Sequence, residues 1–396
     1  MTYPKKALVT SSLFHVMTDA TYAILPASMP FLATDFSLSY SDIGLLYGLM
    51  LGAMVVLQLI TGDLADKLNE LDLLAGGCLI IAASCILMFY AKSYLELVLL
   101  SLVYAAGFSI FHPVSYAMLS RVMSEKDRTK AMGISGSAGD FGNLIAFMST
   151  GAVAAVLGWK ASFIGWGILA LAASAIYCGA IRHRARPPAP AEESSRSNPS
   201  AASGKSSIRL ALLVFLLSVF MGAIYRSFMS FGNLLLTDMV QMTPSDSDFV
   251  LSTFILSGIL GALLSGYIAK YLGLRRSLLM EFLALVPCIF LLYLGVTRTP
   301  VTIIALLMVI AFFLYATYPV IYSLAAEVTN FRGRGRSYGV MVSASFLGGS
   351  SLSFIGGRLA DYTGTLSTVY LLASIIALFG VVVSRALPKG DQGTSS

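Results

Sequence analysis

Residues 182 to 209 read RHRARPPAPAEESSRSNPSAASGKSSIR. The stretch holds four prolines, seven serines and eight charged residues, and Ile208 is its one large apolar side chain. Such a composition cannot bury enough apolar surface to offset the entropy of ordering it, so the segment reads as a flexible linker. Intensely apolar sequence flanks it on both sides, and the two flanks repeat each other. HPVSY at 112–116 recurs as YPVIY at 318–322; Arg128 and Gly133 recur as Arg334 and Gly339; Gly62 and Asp66 recur as Gly266 and Lys270. The spacing between partners is almost constant at a little over half the chain. Repetition on that scale is duplication of a whole domain rather than a solenoid. The expected organisation is an N-terminal block over 1–181, a linker over 182–209 on the cytoplasmic side, and a C-terminal block over 210–396.

Of the 396 residues, 57% are hydrophobic and only 12% charged, whereas soluble proteins carry roughly 25% charged residues. With a mean hydropathy of +0.81, the chain belongs in a bilayer. The net charge of +6 would suit nucleic acid if gathered on one stripe. The basic residues instead sit in short loops between apolar runs, so no nucleic-acid partner is expected. Cys78, Cys85, Cys178 and Cys288 lie inside apolar runs at no ligand-like spacing. They read as small core residues, not as disulfides or a metal site. The first run contains His15 and Asp19 and lacks a small-residue cleavage site, so it is expected to remain as a membrane helix rather than a leader.

Six apolar runs precede the linker and six follow it, over 7–31, 43–61, 73–91, 94–119, 131–157, 161–181, 210–236, 249–268, 277–295, 301–325, 337–357 and 366–387. Each approaches the ~20 residues that cross a hydrocarbon core of ~30 Å, where backbone groups find no water and helices are the form that satisfies them. Orientation follows from Lys and Arg. With both termini inside, only Lys92, Lys160, Arg298 and Arg358 fall in outer loops and Arg226 falls within a run; the rest of the 26 lie on the cytoplasmic side. SYSD before the second run and PSDSD before the eighth supply matching helix N-cap residues.

Between the second and third runs stands GDLADK, with Gly62, Asp66 and Lys67. Gly62 permits close backbone approach, and Asp66 suits a helix N-terminus or a basic neighbour. The segment resembles the signature of the major facilitator superfamily: Gly, three residues, Asp, Arg or Lys, one residue, Gly, then basic residues. Asn69, Glu70, Leu71 and Asp72 depart from it, leaving the turn acidic. The second copy is complementary, with Gly266, Gly273, Arg275 and Arg276 matching and Lys270 in place of the acid. The resemblance implies a cytoplasmic gating motif that holds one closed state of the two halves. A plain solvated turn is the simpler reading, and recurrence at equivalent places weighs against it.

In the first run, His15, Asp19 and Tyr22 are spaced i, i+4 and i+7 and share one helix face. In the fourth, Pro113 follows His112 and should free the carbonyl of Ser109; Pro319 should do the same to Tyr315 in the tenth. The His and Asp four apart, Phe111-His112-Pro113, and the segment Gly139-Asp140-Phe141-Gly142 in the fifth run together resemble the fosmidomycin-resistance branch of that superfamily, which carries an amide where Asp140 stands. At ~1.5 Å per residue, His15 lies ~12 Å, Asp19 ~18 Å, His112 ~10 Å and Asp140 ~13 Å from the inner ends of their helices. Four ionisable groups therefore form one layer in the inner half of the first block. Groups at such depth usually face a water-filled cavity or a partner, which makes Asp19, His15, Asp140 and His112 candidates for proton coupling; each is also a type that a polar core can satisfy. Arg226 is the one basic residue well inside a run of the second block. Its permanently charged fork suits a carboxylate or phosphonate, and two roles stand open for it: binding an anionic substrate, or pairing with Asp19 or Asp140. Tyr22, Tyr116, Tyr318 and Tyr322 extend the candidate substrate lining, although tyrosines at helical spacing also serve as plain packing. Gly133, Gly136, Gly139 and Gly142 let the fifth helix approach its neighbours.

The expected fold is all-α and membrane-embedded: twelve transmembrane helices in two pseudo-symmetric six-helix bundles about a central site. The resemblance implies a secondary transporter in the inner membrane, acting as a monomer and without a cofactor, that exports a small drug-like or anionic molecule in exchange for protons. Uptake by proton symport is the nearest alternative. A membrane sensor is a further class, but MTYPKK and KGDQGTSS are short for a docking tail. An enzyme is disfavoured because the sequence offers no nucleotide loop, metal-ligand cluster or nucleophile with an orienting base.

Overall fold

The computed structural model describes residues 2–65, 68–182, 204–295, 299–328 and 334–388. Thirteen α-helices follow in chain order: α1 Tyr3–Ala27, α2 Met29–Asp35, α3 Tyr40–Ala65, α4 Glu70–Met88, α5 Tyr94–Val122, α6 Glu125–Leu157, α7 Trp159–Ile176, α8 Gly204–Val240, α9 Pro244–Leu272, α10 Leu274–Leu294, α11 Pro300–Val328, α12 Arg334–Thr363 and α13 Ser367–Ala386. A π-helical turn, Tyr177–Ile181, extends α7. Twelve of the α-helices are long, one for each apolar run, and eleven are long and apolar enough to cross a membrane. The exception by composition is α1, whose hydropathy is lowered by Thr10, Ser11, Ser12, His15, Thr18, Asp19 and Thr21.

The sequence accounts for where these helices start and stop. Ser39 and Asp42 cap α3 reciprocally: Asp42 N–H donates to Ser39 Oγ at 3.1 Å and Ser39 N–H to Asp42 Oδ2 at 2.9 Å. At the equivalent place in the second half, the Thr243 hydroxyl accepts from Asp246 N–H at 3.2 Å. The cap of α9 is thus Thr243, one residue before the PSDSD segment expected to supply it. Gly158, Gly273, Gly295 and Gly364 end helices with φ between 58° and 82°, a region that other residues enter only under strain. The first apolar run is broken at Ser28 between Pro26 and Pro30, because Pro30 has no N–H to give the carbonyl of Pro26. Helix α8 begins at Gly204, inside the stretch expected to be linker; residues 183–203 lie outside the described residues, as do Asp66 and Lys67 of the first gating segment.

Packing reproduces the repeat. In the first half α1 lies on α6, α3 on α5, α4 on α5 and α7; in the second, α8 lies on α12, α9 on α11, and α10 on α11 and α13. Each pair is the other's counterpart under the duplication. Between the halves, α3 packs on α12 and α6 on α9, two seams that the same symmetry would exchange. Because twelve crossings return the chain to its starting side, we distinguish a terminal face, where α1 begins, from the opposite, distal face. The α3–α12 seam is fastened from the distal end to just past the middle. Asp361 receives the N–H groups of Tyr40 and Ser41 at 3.0 and 2.8 Å, Ser350 Oγ donates to Gly48 O at 2.8 Å, and Ser343 Oγ donates to Val55 O at 3.0 Å. The ties of α6 to α9 lie at the distal end, where Ser245 Oγ donates to Gly151 O at 2.9 Å.

Candidate functional site

Three helices of the first half bring polar side chains together. His15 Nε2 lies 3.4 Å from Asp19 Oδ2, and His112 Nε2 lies 4.0 Å from Asp19 Oδ1. The helical period sets the first contact, being one turn of α1; the second needs α5 to lie beside it. A Cβ at Gly139 would stand 2.5 Å from both Asp19 Oδ2 and the His15 ring, so glycine is what allows α6 to close over the pair. From α6, Asn143 Nδ2 donates to Asp19 at 3.5 Å and Ser135 Oγ contacts His15 Nδ1 at 3.2 Å. Ser135 continues to Ser11 at 3.3 Å and Ser11 to Ser115 at 2.6 Å. The result is a buried line of hydroxyls leading from His15 towards the terminal face. The carbonyl of Ser109 expected to be freed by Pro113 accepts from Thr61 Oγ1 of α3 at 2.7 Å, although α5 continues as one helix through Tyr94–Val122.

Of the four ionisable groups expected in one layer, three meet. Asp140 stands apart, with no hydrogen bond or ion pair among the described residues. One residue of helix turns a side chain by about 100°, so with Ser135, Gly139 and Asn143 facing α1, Asp140 is rotated off that stripe. His15, Asp19 and His112 also place three donor atoms within 4.8 Å of one another, a set that could be drawn around a divalent ion; their sequence spacing shows a common depth but no ligand pattern.

The second half contributes the opposite charge. Arg226 is 5% exposed. One terminal nitrogen donates to Ser345 Oγ at 3.0 Å, the guanidinium lies 3.6 Å over the ring of Phe346, and its Nε has no partner among the described residues. No carboxylate pairs with it among the described residues, so the structural pairing with Asp19 or Asp140 is not formed in this state. Gly349 lies against the stem of Arg226, which again makes room where a side chain would clash. The hydroxyls of Tyr22 and Tyr47 are likewise buried without partners. Phe108 links the two clusters, 5.3 Å from His112 and 5.7 Å from Phe346 across the halves. Tyr318 packs on Tyr225 at 5.8 Å and on Tyr322 at 6.3 Å, and Tyr116 on His112 at 5.9 Å. All four tyrosines proposed from the sequence therefore border this region. Tyr47, Phe108 and Phe346 join them without a sequence signal, because aromatic residues in an apolar run look alike whether they face cavity or core.

The gating segments are divided. Gly62 is buried, whereas Gly266, Lys270 and Arg276 are exposed. Arg275 donates to the carbonyl of Arg385 and ties the start of α10 to the end of α13. The acidic departures in the first copy have partners of their own: Glu70 pairs with Arg121, and Asp72 pairs with Arg182 at 3.0 Å and accepts from Tyr177 OH at 2.9 Å. Asp248, the last residue of the PSDSD segment expected to cap the eighth run, is 1% exposed and lies inside α9.

A sequence model of the Major Facilitator Superfamily matches residues 12–239 and 214–395. The fosmidomycin resistance protein of Escherichia coli (strain K12) is 23% identical over 380 residues, covering 94% of this chain and 90% of its own. The hexuronate transporter of Bacillus subtilis (strain 168) is 21% identical over 369 residues, covering 90% and 87%. Among solved structures, a bacterial homolog of the human lysosomal transporter Spinster superposes with a TM-score of 0.76 at 16% identity, covering 98% of both chains.

Proposed function

The chain belongs to the Major Facilitator Superfamily, and from that premise we propose that it exports a small anionic molecule in exchange for protons. The coarser statement, that it is a membrane transporter rather than an enzyme, follows from the family. The observation that carries the finer one is Arg226, a buried guanidinium without a carboxylate partner among the described residues, facing a first half that carries Asp19 between two imidazoles. An unpaired charge in this position is costly, and a substrate carboxylate or phosphonate would relieve the cost with charge-assisted hydrogen bonds from Nε and the free edge of the fork. Asp19 is the proposed proton carrier, with His15, His112 and the hydroxyls of Ser135, Ser11 and Ser115 offering a path to the terminal face. With both termini placed in the cytoplasm, as the basic residues favour, that face is the inner one and the distal face opens outside the cell. We place the division of labour at the linker, with residues 1–181 and 210–396 as the moving bodies.

Uptake by symport is the second reading, favoured by the likeness to a protein named for hexuronate, itself a carboxylate. Proteoliposomes separate the two. With a proton gradient of defined sign, a labelled anionic substrate moving against the proton flow supports export, and movement with it supports uptake. Substrate movement that ignores the gradient and persists with a protonophore would remove both readings. The substrate is found by growing an expressing strain against a panel of toxic carboxylates and phosphonates, with and without the protonophore.

A further inference from the structure

At the distal end, four helices from both halves converge on one carboxyl group. Asn233 of α8 donates through Nδ2 to Asp248 Oδ1 of α9 at 2.6 Å. The same nitrogen reaches the carbonyls of Pro26 and Ala27 at 3.1 and 3.3 Å. The carbonyl of Pro26 is free to receive it because Pro30, four residues on, has no N–H. Asp248 Oδ2 and Asn233 Oδ1 are buried without partners among the described residues, and a Cβ at Gly151 of α6 would stand 2.7 Å from Asp248 Oδ2. The carboxyl group is therefore enclosed by α1, α6, α8 and α9, with a neutral amide as its one hydrogen-bond donor among the described residues.

Charged groups on the surrounding elements are remote or engaged elsewhere. On α8, Arg226 lies seven residues from Asn233, ~10 Å along the helix, and Asp238 accepts from Tyr40 OH. On α1, Asp19 lies ~10 Å from Pro26 along the helix, engaged with His15 and His112; on α6, Asp140 lies ~16 Å from Gly151. On α9 itself, Asp246 is exposed and held by Thr243; on α2, Asp35 accepts from Trp159 Nε1. Helix α11 offers Tyr315, bonded to Tyr225, and α10 offers Glu281, bonded to Ser277, and Tyr293.

We infer that Asp248 is a second proton-binding site, whose proton seals the outer seam between the halves. With no cation beside it, a carboxyl group in this enclosure is far better accommodated as the neutral acid than as the anion. When the halves part at the distal face, water reaches Asp248 and the ionised form is accommodated instead. Closure on that face therefore binds a proton and opening releases it, so acid outside favours the sealed state and alkali the open one. Because the proton enters and leaves from the same side, Asp248 gates and does not carry. The inference rests on the outward placement of the distal face proposed above, but its test reads a distance and not transport.

Spin labels on cysteines at Val156 and Tyr362, 81% and 89% exposed at the distal ends of the two halves, are measured in the full chain in lipid nanodiscs with the native cysteines replaced. Between about pH 5.5 and about pH 8.5 the long-distance population of the parent should grow about threefold or more. Asp248→Asn, which cannot ionise, should hold the short distance throughout; Asp248→Ser serves the same purpose should the amide variant fail to fold. A parent that ignores pH, or neutral variants that respond as fully as the parent, would overturn the proposal. So would a seam that responds to sodium at fixed pH in place of protons, which would assign these oxygens to a metal cation.

Discussion

Asp19 holds one imidazole to each of its two oxygens, and no other carboxylate of the first half is so placed among the described residues. As the proposed carrier it must exchange a proton once per cycle, so Asp19→Asn should abolish gradient-driven transport while leaving substrate exchange measurable in proteoliposomes. Asp140→Asn should be milder, because Asp140 lies off the α1-facing stripe of α6; full coupling in the first variant with loss in the second would move the carrier to α6. Arg226→Lys keeps the charge but loses the planar fork, and should weaken binding of an anionic substrate by about tenfold to a hundredfold, read directly by equilibrium binding. The proximity of His15 and Asp19 was legible because one helical turn separates them in sequence. Their meeting with His112 was legible only as a common depth. Asn143 and Ser135 escaped notice because deciding which residue of α6 faces α1 depends on rotation, and an error of one position exchanges Asn143 and Gly139 for Asp140. Asp248 escaped because PSDSD reads as a solvated cap, and nothing in its four polar residues tells which one the opposite half will cover.

At the scale of the elements, glycines fix how closely the helices lie, and they divide into two groups with opposite expected behaviour. A Cβ at Gly222 would meet the carbonyl of Ser345, one at Gly261 that of Phe312, and one at Gly348 that of Val219. Backbone cannot yield as a side chain does, so each change to Ala should cost about 1–3 kcal/mol and lower the detergent melting temperature. Gly133, Gly136 and Gly266 have nothing within 4 Å of the added carbon; their Ala variants should be neutral or more stable by up to about 1 kcal/mol. Equal melting shifts in the two groups would show that close helix contact is not what these glycines serve. The twelve spans and the duplication were readable, since apolar length and repetition survive without tertiary information. The break at Ser28 and the extension of α8 back to Gly204 were not, because polar turns of helix beyond the apolar run carry no hydropathy signal.

For the molecule as a whole, orientation and the independence of the halves are the open quantities. A cysteine at Tyr362 should react with an impermeant reagent added to intact cells, and one at Ser195 should not; equal labelling of both would remove the placement of both termini inside. Cutting the chain between residues 187 and 203 and expressing the two parts together should retain transport, since the seams rather than the connection hold the halves. Transport lost with both parts present in the membrane would assign a structural role to the connection. The seams themselves differ. Helices α3 and α12 are fastened from the distal end to just past the middle, by Asp361, Ser350 and Ser343, while α6 and α9 are fastened at the distal end, by Ser245. In mechanical terms the distal ends of the two seams are the shut jaw of a peg, and their terminal ends its grips. Pressing the grips of a peg together parts its jaw, so a tilt that opens the distal face must draw the terminal ends of α3 and α12, and of α6 and α9, closer together.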